Sequence, residues 1–419
     1  MVADTPLKIR EPILRWTARA HSIAEIEIEL ARIWSTPDLT TQIEGEAGRH
    51  VAARTSVMNL VVVARRPELA ERCAATIQAL TGRHPSRTIV IQSADPDGPS
   101  WLDARIEAHC ILPREDAPET CAETIHVVCG GESGRHLAAI ATPLIVHDLP
   151  VTVWWPGEPP FTSEAAGDLL AGADRLVVDG STWSGDGLAR LRDMASLLDT
   201  TSLAITDFAL ARQSRWREAI ASTFDDPDFL PFLRSIRRIA VTYGTHAKTA
   251  TPGSTNLVKP IYHVGWLASR LGLSVEKPLT AAAAHRRGSA GSAGARTIRP
   301  PGARSTTRSG LKATLSDGRA DIAVMIRPVV SPMPSGTTLR VELLAERRGS
   351  ELRVDVTAEA ETVHVRVWQD GVAVLDRRFR AARRTDVDLL AEAIEAGERD
   401  PVAIGALRSA AALTADGAS

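Results

Sequence analysis

The chain has 419 residues, 44% of them hydrophobic and 24% charged, a globular composition long enough for two domains. A net charge of −2 and a predicted pI near 6.6 exclude a global attraction to nucleic acid or to an anionic membrane. No apolar run reaches the roughly 18 residues of a membrane span. Residues 1–19, with Pro6 and Pro12, lack the apolar core of a leader or anchor, so a cytoplasmic protein is expected.

In chain order, Ser22 and Glu25 form a capping box, and Ile23, Ile26, Leu30 and Ile33 share one helical face, which predicts a helix over 22–34. Leu39 to Ala53 is polar and irregular. Val57 to Ala64 is a near-continuous apolar run, the mark of a strand covered on both faces. Pro67 opens a helix with Leu69, Cys73, Ile77 and Leu80 inward. Extended segments follow over 88–92, 105–112 and 124–129, then the run Gly130-Gly131-Glu132-Ser133-Gly134 and a helix broken by Pro143.

His147 to Gly157 reads as a short buried strand that ends in Trp154 and Trp155, two of the chain's nine tryptophans, and a Pro-Gly stop. Strands and helices alternate onward: helix 164–171, strand 175–178, a helix from Asp186, strand 202–206, a helix capped by Asp207, strand 236–243, and a helix over 257–271 closed by Gly272. This alternation predicts an α/β fold, a mostly parallel open sheet flanked by helices. Residues 277–316 carry seven Arg or Lys from Arg286 to Lys312 and no acidic residue, and read as a basic flexible linker or an arm for an acidic partner. Beyond it, five segments alternate apolar with polar residues around turns at Arg348-Gly349-Ser350 and Asp370-Gly371, which predicts a smaller antiparallel α+β domain closed by helices over 386–396 and 401–412. The expected division is an N-terminal extension 1–20, an α/β domain 21–276, the linker 277–316 and a C-terminal domain 317–419.

Three groups of residues have the chemistry of a site. Gly130, Gly131, Ser133, Gly134 and Arg135 lie between a strand and a helix, where amides cradle a phosphate or simply turn the chain. His84, Ser86 and Arg87 offer an imidazole, a hydroxyl and a guanidinium for an anion or sugar phosphate, or make a structured turn. No GxSxG elbow supports Ser86 as a nucleophile. Trp154 and Trp155 are read either as core or as a recognition rim, and Arg212, Trp216 and Arg217, with Arg215, as a partner anchor or a solvated helix. His147 and Asp148 point apart on an extended backbone and do not make a catalytic pair. Cys73, Cys110, Cys121 and Cys129 have no metal spacing, so four free thiols and no metal are expected.

His-Pro-Ser-Arg before a strand, the Leu-Pro-Val approach to Trp-Trp-Pro-Gly, the Arg-Trp-Arg helix after an aspartate, and Gly265-Trp266-Leu267-Ala268-Ser269-Arg270-Leu271 together resemble the OpcA family. Its members are known as glucose-6-phosphate dehydrogenase assembly or activator proteins. The resemblance covers 56–271 and extends to the strands and helices after about Thr337. It implies a non-catalytic protein without a cofactor that binds glucose-6-phosphate dehydrogenase, promotes its active oligomer and raises NADPH production in the oxidative pentose phosphate pathway. A sugar-phosphate-binding enzyme or sensor built on the Gly130–Arg135 loop, His84 and Arg87 is the alternative.

Overall fold

A computed structural model describes residues 13–35, 53–54, 56–95, 97–111, 120–246, 254–282, 310–359, 361–396 and 399–414. The chain forms two compact units, each discontinuous in sequence: residues 1–183, 193–212 and 384–401 make the first, and residues 184–192, 213–383 and 402–419 the second.

The first unit is built on a nine-stranded sheet. Its strands are β1 (Ile13–Ala20), β2 (Ala53–Arg54), β3 (Met58–Ala64), β4 (Ser86–Ser93), β5 (Trp101–Ile111), β6 (Thr120–Gly130), β7 (Val151–Trp155), β8 (Arg175–Val178) and β9 (Ala204–Asp207). The order is β1-β5-β6-β4-β3-β7-β8-β9, with β2 beside β6. From β6 to β9 every pairing is parallel, and β1 and β5 add an antiparallel edge. Each residue of β3, β7 and β8 is buried, the pattern of strands covered on both faces. Helices α1 (Ile23–Ser35), α2 (Pro67–Gln78), α3 (Leu137–Ala141), α4 (Glu164–Ala171), α5 (Leu188–Thr200) and α6 (Phe208–Ala211) alternate with these strands. Pro143 ends α3 in a 3-10 turn, as expected of a residue that cannot supply the next amide.

The second unit carries an eight-stranded sheet of order β11-β12-β13-β10-β14-β15-β16-β17. These strands are β10 (Ile236–Thr245), β11 (Ser274–Ala281), β12 (Leu311–Ser316), β13 (Asp321–Val330), β14 (Thr338–Arg347), β15 (Ser350–Ala358), β16 (Thr362–Gln369) and β17 (Val372–Arg380). Only the β10–β13 pairing is parallel. The hairpin β16–β17 turns on Asp370 and Gly371, whose φ of 52° and 83° give the left-handed pair that a two-residue turn requires. Helices α7 (Ser214–Thr223), α8 (Val258–Leu271) and α10 (Pro401–Leu413) belong here, while α9 (Asp386–Glu395) belongs to the first unit. Gly265 of the Gly-Trp-Leu-Ala motif lets α8 and α10 meet, because a Cβ there would lie 2.6 Å from the Ala406 carbonyl oxygen.

The fold class is the expected one, with four differences in detail. Residues 236–243 join the second sheet, flanked by β13 and β14, because an apolar strand reads alike in either sheet. Both ends of the expected basic linker are strands, β11 and β12, paired with each other; residues 283–309 lie outside the described residues, as do 36–52. Helix α9 packs on the first unit rather than on the meander. Cys110 and Cys121 form a disulfide, which corrects the expectation of four free thiols, while Cys73 and Cys129 are free and buried. The reason is register: β5 and β6 pair antiparallel, which sets the two residues directly opposite.

Candidate site at the carboxyl edge of the parallel strands

Open parallel sheets bind ligands beyond the carboxyl ends of their strands. Here β7 ends in the tryptophans, β8 runs into Asp179 and β9 ends in Asp207. Asp207 caps α6: one carboxylate oxygen accepts the amides of Gly180 at 2.9 Å and Ala209 at 2.8 Å. Trp154 and Phe208 pack with ring centroids 6.0 Å apart, in one apolar cluster with Leu69, Cys73, Leu389 and Leu390. Thus α9 supplies apolar side chains to the same core as the end of β7.

Two clamps hold that helix. At its start, Arg212 donates to Asp386 at 2.9 Å and to Asp179 at 2.7 Å, with Arg72 3.6 Å from Asp386. At its end, Glu395 meets Arg83 at 2.6 Å and His84 at 3.0 Å. A carboxylate in the first turn is favoured by the helix dipole, and one in the last turn is disfavoured unless cations neutralise it, as Arg83 does here. Thr385 adds a capping box with Asp388. Burial works against the charge of Arg212, but Asp179 and then Asp386 more than reverse this and push its pKa up. Arg212→Met should therefore cost about 2–4 kcal/mol, because Asp179 is left buried without its cation. A lower urea midpoint with an unchanged m-value checks this.

The other predicted residues are separated from this edge. Ser86 is buried, its hydroxyl 3.0 Å from that of Thr88. Arg87 is buried too, donating to Glu123 at 2.5 Å and to the Leu144 carbonyl at 3.1 Å, and Trp34 donates to the same carboxylate. His84 and Arg87 therefore do not converge on one ligand. Gly130 closes β6, and Gly131 to Arg135 form a 3-10 turn. The amide of Gly131 donates to the Asp95 carbonyl, that of Glu132 to the Ser100 hydroxyl, and Arg135 pairs with Asp97 at 2.8 Å. These donors are engaged, and α3 is too short to add a useful dipole. Trp154 and Trp155 are 1% and 3% exposed, so both are core. His147 and Asp148 sit exposed in a turn held by Asn59, which bonds both ends of it.

Trp216 faces inward on α7, its ring 5.2 Å from that of His263 on α8, with Arg217 close enough to act electrostatically on the same imidazole. Both ring nitrogens of His263 are buried without a partner among the described residues. Burial, helped by Arg217, lowers its pKa from 6.5 to about 3. The folded state thus keeps His263 neutral while the unfolded chain takes up a proton below about 6.5, so stability falls as pH drops from there toward 3. The slope is roughly 1.4 kcal/mol per pH unit. His263→Leu should remove it, and wild type minus variant should change by about 2 kcal/mol between pH 7.5 and pH 5 in urea titrations.

A second place of interest lies outside the three groups of residues that the sequence motifs single out. A cleft of about 420 Å³ lies between α2 and strands β4, β5 and β6, with Asp103, Arg105, Glu107, His109 and His126 among its lining. Arg105 and His126 stand 3.0 Å and 3.6 Å from Glu107. His126 holds the Glu107 carboxyl below its usual range, and burial lowers the pKa of His109. The signal was the alternation along β5, which puts residues 103, 105, 107 and 109 on one face. Among the described residues no group of three or more His, Cys, Asp or Glu is placed to hold a metal ion, and no helix is long and apolar enough to cross a membrane.

Comparison with known proteins adds the family. Residues 77–196 match the OpcA model described as the glucose-6-phosphate dehydrogenase subunit N-terminal domain, and residues 203–403 match that described as its C-terminal domain. A curated Synechocystis sp. protein named for OpcA of the OxPP cycle is 26% identical over 195 residues, which is 46% of this chain and 38% of that protein. Among solved structures, an oxidoreductase from Sinorhizobium meliloti is 12% identical with a TM-score of 0.45, covering 85% of this chain and 95% of its own. An NAD binding oxidoreductase from Klebsiella pneumoniae is 10% identical with a TM-score of 0.44, covering 85% and 94%. Likeness at this level says nothing about chemistry. The two domain matches, which between them take in the clamped helix, the tryptophan strand and the second sheet, place this chain in the OpcA family of glucose-6-phosphate dehydrogenase subunits.

Proposed function

We propose that this chain is a non-catalytic subunit that binds glucose-6-phosphate dehydrogenase in the cytoplasm and promotes its active oligomer, so raising NADPH production in the oxidative pentose phosphate pathway. The observation that carries the non-catalytic part is the carboxyl edge of the parallel strands: α9 contributes to its core and Arg212 is committed to Asp179 and Asp386. The family supplies the partner. A subunit without chemistry of its own acts by binding the competent form of the enzyme more tightly than the incompetent form, and the population follows that difference.

The test titrates purified protein into the cognate dehydrogenase, with initial rate at subsaturating substrate and sedimentation mass as readouts. A rise in rate together with a shift to a larger species is expected. No change in either would remove the proposal. The sugar-phosphate alternative loses its basis, since His84, Arg87 and Arg135 are each paired within the chain.

A further inference from the structure

The cleft between α2 and strands β4, β5 and β6 takes no part in the role proposed above. Its floor is set by register. Val90 of β4 is paired with His126 of β6, which faces Arg105 of β5. One row toward the carboxyl end of β6 stand Gln92, Val128 and Asp103, and one row the other way Thr124 faces Glu107. The wall is α2, whose buried stripe of Leu69, Cys73 and Ile77 packs into the core. The adjoining stripe of Ala70, Ala74 and Gln78, at a spacing of four, lines the cleft. Two alanines there leave the space that larger side chains would close.

A plain solvated sheet face would leave its ionisable groups in water. Here the side chains of Glu107 and His126 are only 14% and 19% exposed, and burial lowers the pKa of His109 from 6.5, which keeps that imidazole neutral at pH 7. Ionisable groups held partly desolvated in a concave place mark a binding site. The pairing of the polar side chains selects its ligand. The charged ones answer each other: Arg19 meets Asp103 at 2.8 Å, Arg105 meets Glu107 at 3.0 Å, and His126 lies 3.6 Å from Glu107. An anion would have to draw a guanidinium away from its carboxylate, against the added repulsion of Glu71. A cation would have to part Asp103 or Glu107 from its partner, since Glu71 is exposed and an exposed pair contributes little. The lining side chains without a hydrogen bond among the described residues are neutral: Gln78, Gln92, His109 and Thr124. Each both donates and accepts hydrogen bonds, as a hydroxyl group does.

We propose that this cleft binds an uncharged polyhydroxyl ligand, a sugar or cyclic polyol without a phosphate, held by Gln78, Gln92, His109 and Thr124 against the apolar surface of Ala74 and Val128. Such a ligand leaves both ion pairs intact, and its C–H faces match the alanine and valine side chains. The volume of about 420 Å³ lies within the range of small-ligand sites. The site does not depend on the dehydrogenase being the partner.

The experiment is saturation-transfer NMR on the full chain, with D-xylose, D-glucose and sucrose as neutral probes, β-glycerophosphate as the anion and putrescine as the cation. Melting temperature serves only as the folding control without ligand, because polyols stabilise any folded protein by exclusion from its surface. Saturable transfer to at least one of the three sugars is expected, and none to the charged probes. Ala74→Leu should weaken that sugar about 10-fold by occupying its space, and Thr124→Val about 5-fold by removing one hydroxyl while keeping the side chain's shape. Both variants should melt like wild type; if Ala74→Leu does not fold, Thr124→Val decides alone. Absence of saturable transfer to all three sugars would overturn the proposal. So would transfer to β-glycerophosphate or putrescine in place of the sugars, which would mean that the ion pairs open for a charged ligand. Sugar binding that the folded variants reproduce at wild-type strength would place it elsewhere on the chain, and the cleft would lose its role. None of these outcomes bears on activation of the dehydrogenase, which is read by rate and sedimentation.

Discussion

Arg87→Ala is expected to be the most destabilising charge substitution in the first unit, costing about 3–5 kcal/mol. The carboxylate of Glu123 is fully buried, and Arg87, itself 8% exposed, is its counter-ion across the neighbouring strands β4 and β6. Trp34 donates to its second oxygen, so α1 is tied to the sheet through the same group. Removing the guanidinium frees the Leu144 carbonyl of its donor and leaves a negative charge in the interior, and the second loss dominates because a buried ion keeps its desolvation penalty when its partner goes. The control follows from the same asymmetry. Arg87→Met combined with Glu123→Gln removes both charges and should recover at least half of the loss, a coupling that urea unfolding of the two single variants and the double variant measures directly. Equal losses in all three would mean that the charge is not what matters at this site.

This pair also shows how the chain's patterns limit what can be read from it. Arg87 stood out in the sequence because of its neighbours His84 and Ser86, yet its partner lies 36 residues away on another strand. Local signals fixed local structure well. The apolar run of β3, Pro67 at the start of α2, Asp207 as a cap, Gly272 in the left-handed conformation after α8, and Asp370-Gly371 in its hairpin each follow from residues in contact along the chain. The rest depends on pairing. The Cys110–Cys121 bridge needs the β5–β6 register, and Arg353 meets Trp368 only through the β15–β16 register. Placing residues 236–243 in the second sheet needs β13 and β14 as neighbours. Helix α9 was legible as a helix, whereas its return to Arg212 and His84 is a contact across 174 and 311 residues of chain. No periodicity encodes that distance.

Trp154→Ala should cost about 3–5 kcal/mol, comparable to the loss at Arg87 but by a different mechanism. The ring is among the largest fully buried side chains and touches Phe208, and the cluster around it joins β3, α2, β7, β8, α6 and α9. Truncation leaves a cavity that these elements cannot close, because β7 is held between β3 and β8 while the clamps at Asp386 and Glu395 fix both ends of α9. Trp154→Phe should cost much less than the change in volume suggests, about 1–2 kcal/mol. The indole N–H is buried with no acceptor among the described residues, and phenylalanine removes that unsatisfied donor along with part of the ring. Hydrogen exchange locates the damage: in Trp154→Ala the amides of α9 should lose protection with those of β7, whereas those of β15 and β16, in the other unit, should be slowed as in wild type. Because the ring presents no surface, the variant should still bind the dehydrogenase with wild-type affinity at a temperature where it remains folded. Weakened binding by a fully folded Trp154→Ala protein would show that the end of β7 takes part in recognition after all.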